Sequence, residues 1–434
     1  MKEKRIEVCI IRLVPKCEEL RKAGILLMRS FLLRFVPAFF ILMLFLFPCA
    51  AKTKNCQAGA SEAVYLEWEN LLGGREADRC FDARMTGDGG FIAVGETASC
   101  YLHGNGGNDV LVIRLDPAGR LLWQKAIGGT GNDSGMSVRQ TDDGGYIIAG
   151  ATRSAGSSKD SEAYLLKIDA SGQRQWEKRY GGPGEDCLCW VEQTSDGGFV
   201  AAGSTSSSGA GDFDIYLIRT DRSGRLLWEQ TFGSPDTDQG ACVVEAPGGG
   251  YVVAGRAFSP ANGGYDVLLA KTDESGRKEW ERTFGGKGWD IAEWLAPTED
   301  GGYVLTGRTS SFNDGAFAVY LAKIGAGGTP EWERAFAGGW GAGKSVQQTG
   351  DGGYLVAGWT DSGSETQARI IKTDPDGNPT RDLKYGNSKF SREFSFYPAG
   401  NGEYIIAGWW AEPLRNNQYQ SDGIQAYLAR LKAF

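Results

Sequence analysis

The chain has 434 residues, of which 64 are Gly, twice the usual share of ~7%. Its formal net charge is −8, but the first 60 residues hold 11 basic and 4 acidic side chains, leaving 35 basic and 50 acidic in the remainder. So acidic a body excludes a nucleic-acid backbone as its partner, since phosphate binding needs a basic footprint, and Gly at this frequency without a collagen period points to many tight turns and an all-β class.

The first element in chain order is an apolar run. Met28-Arg-Ser-Phe-Leu-Leu-Arg34 is basic, Phe35 to Phe47 is apolar over 13 residues, and Pro48-Cys-Ala-Ala51 supplies small residues. This is the layout of a secretory signal peptide, with Met28 as the true start and cleavage near Ala51. The run is shorter than the ~20 residues that span a bilayer. An uncleaved anchor and lipidation at Cys49 are the alternatives. Residues 1–60 are assigned as leader and linker, and 61–434 as one domain.

From there the sequence repeats. An aromatic residue after a Gly-Gly turn recurs at Phe91, Tyr146, Phe199, Tyr251, Tyr303, Tyr354 and Tyr404, at spacings of 50 to 55 residues. Trp keeps the same period at Trp68, Trp123, Trp176, Trp228, Trp280 and Trp332, whereas the seventh copy has Arg381-Asp-Leu-Lys-Tyr385 there. An Asp-x-x-Gly turn precedes the Trp strand at Asp116, Asp169, Asp221, Asp273 and Asp374. A fixed period of this length means a solenoid, propeller or array.

Each copy contains four short β patterns, in the third copy Leu188–Gln193, Phe199–Thr205, Ile215–Asp221 and Leu226–Phe232. Runs such as Tyr146-Ile-Ile-Ala-Gly150 are apolar and β-branched between Gly turns, which suits strands buried on both faces. The prediction is a seven-bladed β-propeller of four-stranded antiparallel blades. The first copy opens with a lone Trp strand near 65–72, and the last ends on the strand that elsewhere precedes it. These fragments complete one blade and close the ring with no open edge; a monomer is expected.

Let the strands of a blade be a to d, with the Trp strand outermost as d. The a–b and c–d turns then share one face, and the b–c and d–a connections share the other. The first face is all tight turns. The second carries longer, more variable loops, where function usually lives. Asp78, Asp133, Asp186, Asp238 and Asp290 recur in the d–a loops, and Asp109, Asp160, Asp214, Asp266 and Asp422 precede strand c. Carboxylates are what Ca²⁺ requires, so the first set are candidate calcium ligands; in the alternative, each satisfies loop N–H groups locally. No other cofactor is predicted.

Trp289, Trp340, Trp409 and Trp410 fall outside the repeated Trp position, on the loop face. Aromatic platforms suit sugars and proteins alike, so these four are the candidate ligand-binding residues. Cys80 and Cys100 flank the first a–b hairpin and are a candidate disulfide. Cys187-Leu-Cys189 lacks the spacing of a metal site, with Cys242 as a conceivable partner. The single His103 makes a His-based catalytic triad implausible.

Trp176-Glu-Lys-Arg-Tyr-Gly-Gly182 and Gln193-Thr-Ser-Asp-Gly-Gly-Phe199 resemble the repeats of bacterial and archaeal secreted β-propeller proteins, a likeness that covers residues 65–431. It implies an extracellular or envelope protein without an assigned activity. Asp169-Ala-Ser-Gly-Gln-Arg-Gln-Trp176 is more distantly similar to the blade motif of quinoprotein-type propellers, one residue shorter and without its Thr. That family's vicinal Cys pair is absent. Thr194-Ser-Asp-Gly-Gly198 resembles the front half of the sialidase Asp-box, with Ala201 in place of its aromatic.

The function read from these residues is an exported, non-catalytic binding or scaffolding module at the cell envelope or outside the cell. Its partner would be a protein or glycan, and it would meet a membrane only through an uncleaved leader. The alternative is a propeller enzyme, quinoprotein-like or glycan-active, with its site at the loop face of the channel.

Overall fold

The computed structural model describes residues 64–433, apart from residues 75, 99–105, 155–159, 313–314, 362, 364–365, 387–393, 401 and 414–418 and the side chains of 411–423. Every element among the described residues is a strand, and the strands form seven separate four-stranded antiparallel sheets.

Blade 1 is Asp78–Met85, Phe91–Thr97, Asp109–Leu115 and Leu121–Ile127. Blade 2 is Asp133–Gln140, Tyr146–Thr152, Glu162–Ile168 and Arg174–Tyr180. Blade 3 is Asp186–Gln193, Phe199–Thr205, Asp214–Thr220 and Leu226–Phe232, close to the expected ranges. Blade 4 is Asp238–Glu245, Tyr251–Ser259, Gly264–Thr272 and Lys278–Phe284. Blade 5 is Asp290–Pro297, Tyr303–Thr309, Ala318–Ile324 and Pro330–Phe336. Blade 6 is Trp340–Gln348, Tyr354–Asp361, Thr366–Thr373 and Pro379–Gly386.

Blade 7 combines both ends of the domain: Ser395–Gly400, Glu403–Pro413 and Tyr419–Lys432, completed by Tyr65–Leu72. The closing strand runs antiparallel, with Leu72 opposite Ala426 and Tyr65 opposite Lys432. The Tyr427 hydroxyl donates to Glu69 across the seam at 3.0 Å. The a strands touch one another all the way round, blade 7 meeting blade 1, and so form the innermost ring.

The repeated residues dock one blade on the next. The Asp116 carboxylate accepts from the Ala118 and Arg120 N–H groups at 2.9 Å, which tightens the c–d turn. Gly119 in that turn has φ 78°, and the Trp68 ring of blade 7 lies against it so closely that a Cβ there would fall 2.5 Å from the indole. The same contact joins Trp123 to Gly172, Trp176 to Gly224, Trp228 to Gly276, Trp280 to Gly328 and Trp332 to Gly377. The indoles also meet the aromatic that opens strand b of the next blade, at 5.3 Å for Trp68–Phe91 and 5.9 Å for Trp176–Phe199. Such a pair adds ~1 kcal/mol beyond the area it buries.

The a–b turns are pinned from strand c. The Thr86 hydroxyl and the Gly90 N–H donate to Asp88, and the buried Arg114 reaches it at 2.6 Å. Together they hold the Asp88 carboxyl down to about 2. Lys167 pins Asp143, Arg219 pins Asp196, and Lys323 pins Asp300 in the same way.

Candidate binding site at the channel mouth

Most a strands carry a β-bulge at one level. The register shifts between Cys80 and Asp82 in blade 1, Leu188 and Trp190 in blade 3, and Ala292 and Trp294 in blade 5, and likewise in blades 2, 4 and 6. A bulge adds one unpaired residue and re-aims its side chain. The residues added here, among them Phe81, Cys189, Glu293 and Lys344, line a central cavity of about 350 Å³. The cavity wall therefore draws on every blade, and its chemistry differs at each.

Towards the tight-turn face the channel is filled by groups from alternate blades. Arg84 of blade 1 is 4% exposed. Its guanidinium lies 5.2 Å from the ring of Trp190, 4.9 Å from Trp294 and 4.2 Å from Tyr397, which come from blades 3, 5 and 7. Trp190 and Trp294 meet edge to face at 4.6 Å. Asp82 pairs with Arg84 at 3.2 Å and with Arg139 at 3.1 Å, and Arg139 continues to Glu192 at 2.8 Å. Burial, with Arg139 nearby, lowers Arg84 to about 10 against the pull of Asp82. Arg84 stays charged at neutral pH, held by rings and a carboxylate.

Towards the loop face, Glu293 sits among three cations. Lys344 approaches it at 3.2 Å and Arg308 at 3.8 Å. Burial works against the ionised Glu293, but Lys344, Arg308 and Arg256 outweigh it and hold the carboxyl below its ordinary value. Arg256 donates to Gln239. Burial and the charge of Arg308 lower the pKa of Arg256. Each of these two guanidiniums also lies over an aromatic ring, Arg256 at 4.9 Å from Tyr265 and Arg308 at 5.4 Å from Phe317.

Those two rings belong to a continuous aromatic chain across blades 4 to 6. Phe258 meets Tyr265 at 5.3 Å, Tyr265 meets Trp289 at 5.0 Å, Trp289 meets Phe317 at 6.2 Å and Phe317 meets Trp340 at 5.5 Å. Trp289 is 41% and Trp340 52% exposed, among the largest apolar exposures of the described residues. All five rings lie in or beside b–c and d–a connections, so they belong to the loop face.

Of the four Trp residues read from the sequence, the structure brings Trp289 and Trp340 together through Phe317. Trp409 lies apart from them, 6.0 Å from Arg79 of blade 1, and Trp410 packs half-buried against the core of blades 6 and 7. The cavity residues Arg84, Trp294, Glu293, Arg256, Arg308 and Lys344, and Tyr397 against Arg84, were not singled out from the sequence. Their signal lies in the copies: the site of Arg84 holds Val244 in blade 4 and Ala296 in blade 5, and that of Glu293 holds Ala241 in blade 4.

The candidate calcium ligands are the first residues of a strands. Asp133 accepts from the Gly129 N–H at 2.8 Å, from the Ser154 hydroxyl at 2.6 Å and from Thr152. Asp186 and Asp290 repeat the pattern with Gly182, Ser207 and Thr205, and with Gly286, Ser311 and Thr309. Asp78 accepts from Gly74 and Thr97, and Asp238 from Ser234 and Phe258 N–H groups. Each carboxylate is thus engaged by donors of its own d–a loop and of the end of strand b or the b–c loop beside it, and the five belong to different blades. Among the described residues no group of three or more His, Cys, Asp or Glu side chains is placed to hold a metal.

Cys80, expected opposite Cys100, is a free thiol with its side chain fully buried between blades 7 and 1, beside Phe91 and Ala407. The strand alternation turns it into the core rather than towards the open end of its hairpin. Cys100 and His103 lie outside the described residues, as do the leader and the side chain of Asp422. Cys187, Cys189 and Cys242 are also free. Cys189 occupies the bulge of its strand and donates to the Gly240 carbonyl at 3.0 Å.

No family model matches the chain. It is similar to the regulatory protein FlaEY of Caulobacter vibrioides, 29% identical over 163 residues, a match covering 32% of this chain and 17% of that protein. Among solved structures it is similar to the WD40 domain of Neurospora crassa Pan2, at 12% identity and a TM-score of 0.52, covering 85% of this chain and 96% of that one. It is also similar to puromycin hydrolase, at 14% identity and a TM-score of 0.49, covering 84% of this chain and 57% of that one. At 12% identity the likeness to the Pan2 domain establishes the propeller fold alone.

Proposed function

We propose that the chain is an exported, non-catalytic propeller that binds a partner on its loop face, across blades 4 to 6. One observation carries this reading: the aromatic chain from Phe258 to Trp340, with its two indoles exposed, adjoins through Tyr265 and Phe317 the arginines that line the channel mouth. Exposed aromatics beside Arg are the side chains enriched at binding hot spots. The export reading rests on the segment 28–51 and on the likeness of the repeats to secreted propellers.

The test is selection of binders on the immobilised full chain, from a display library of random heptapeptides and from a glycan array. Trp289→Ala/Trp340→Ala is run in parallel. Binders to the native chain that the double variant loses support the proposal. Binders indifferent to both indoles, or turnover of an oxidisable or glycosidic substrate without binding on this face, overturn it.

A further inference from the structure

The loopward half of the cavity has more positive charge than it uses. Arg256, Arg308 and Lys344 face it, and Glu293 is the one carboxylate set among them. Arg84 and Asp82 at the other end balance each other. Two positive charges therefore remain without a counter-charge, in a domain whose overall balance is strongly acidic. The donors are left over as well. Nε of Arg256 and Nε of Arg308 are both buried and have no hydrogen-bond partner; the nearest carboxylate oxygen to the second is 3.8 Å away. A buried donor without a partner is destabilising, so a ligand that supplies acceptors there gains more than it would at an exposed arginine. The site is within reach of solvent, since the side chains of Arg308, Lys344 and Glu293 are 33%, 23% and 23% exposed.

The guanidinium fork is matched by a planar anion that accepts along two parallel bonds, as a carboxylate does. The adjoining surface narrows the carrier of that carboxylate. Rings along the aromatic chain meet at 71°, 71°, 80° and 70°. Neighbouring rings thus meet edge to face, and Tyr265 and Phe317 each carry a guanidinium as well, so the chain forms a corrugated apolar surface rather than a flat platform. A pyranose stacks on a free, flat ring face; apolar side chains pack along ridges.

Resting on the binding reading above, we infer that the partner is an acidic peptide segment. An Asp, Glu or C-terminal carboxylate enters the channel mouth between Arg256 and Arg308, and neighbouring apolar residues lie along Tyr265, Trp289, Phe317 and Trp340. Glu293 sets the selectivity. It cancels one of the three cations, so the mouth has room for at most two added negative charges and repels a polyanion.

The experiment repeats the heptapeptide selection on the full chain and on Arg256→Gln/Arg308→Gln, with melting curves to show that both are folded. The expected result is enrichment of Asp and Glu among peptides selected on the native chain, and loss of that enrichment on the double Gln variant. A peptide so selected should bind the variant on the order of tenfold more weakly and its Asn/Gln counterpart should bind the native chain as weakly. Glu293→Gln removes the competing carboxylate and should tighten binding of the acidic peptide. Selected peptides that need Trp289 and Trp340 but show no acidic bias overturn this inference and leave the binding surface standing. Failure to select any peptide overturns the peptide assignment, and binders confined to the glycan array do the same. Unchanged or weaker binding to Glu293→Gln overturns the placement of the carboxylate beside it.

Discussion

The outer belt of the propeller and its axis are built on opposite plans. In the belt the same parts recur at six blade junctions: an indole, a c–d turn Gly and, at most of them, an aromatic that opens strand b. At the axis equivalent positions hold Phe81, Met136, Cys189, Ala241, Glu293, Lys344 and Phe394. Blade docking is one mechanical task repeated round a ring, so one solution is reused. A ligand meets the axis once, so its groups need appear only once. Repetition in this chain marks folding, and departure from the repeat marks where binding is to be sought.

The largest test of this contrast is at the seam. Removing residues 64–72 deletes the outer strand of blade 7 and the first indole of the belt, Trp68. The expected outcome is loss of a single cooperative transition, read by calorimetry; a truncated chain that melts like the full one would show that the ring does not need its closure. Next is Trp176→Ala, which empties one belt junction. It should cost about 2–3 kcal/mol in urea unfolding, short of a full core deletion because the ring is half-buried. Trp289→Ala, at an exposed ring, should lie within about 0.5 kcal/mol of the native chain. Equal losses at the two positions would dissolve the distinction between belt and binding surface.

Acid should act on the belt side as well. Asp88, Asp143 and Asp196 have carboxyls depressed to about 2 from an ordinary 3.8. A depressed carboxyl stabilises the fold above its unfolded value, and that contribution is lost as pH falls through the folded value. Urea midpoints should therefore be level between pH 8 and 5 and fall below about pH 4, and the fall should be shallower in the triple Asp→Asn variant. The effect is modest, because these carboxylates face solvent. The smallest expected effect is that of calcium. With the five strand-opening Asp carboxylates already engaged by backbone N–H groups of their own d–a loops, Ca²⁺ and a chelator should give the same melting midpoint. A calcium-dependent rise would turn these repeated residues into a functional set and break the rule.

The belt was legible in the sequence because its parts are local and periodic. Asp116 and Gly119 specify a turn by themselves, and Trp123 follows four residues after that Gly. Trp289 and Trp340 were legible as indoles out of phase with the period, although their link through Phe317 was not. The cavity was illegible for two physical reasons. Its wall takes residues from all seven blades, so no stretch of chain contains its pattern. The β-bulges also shift the alternation, so Phe81 and Glu293 turn inward where a regular strand would turn them away. Trp190, one wall of the Arg84 cage, follows directly on Cys187-Leu-Cys189, a run that the sequence offers as a poor metal motif. Cys80 misled because its place at a hairpin end suggested a partner, while its side chain belongs to the core.

The seam also dictates an order of assembly. Tyr65–Leu72 leaves the ribosome before any other strand of the domain, yet its hydrogen-bonding partner, Tyr419–Lys432, leaves last. Blades 1 to 6 are hairpin-connected and can form as synthesis proceeds. The Trp68 strand must wait through all of them with one edge open, and its pairing carries the largest loop-closure entropy among the described strand pairs. Closure is thus a check on completeness: a chain cut short anywhere before Tyr419 keeps an unpaired strand, the kind of edge that recruits other chains and marks a product as unfinished.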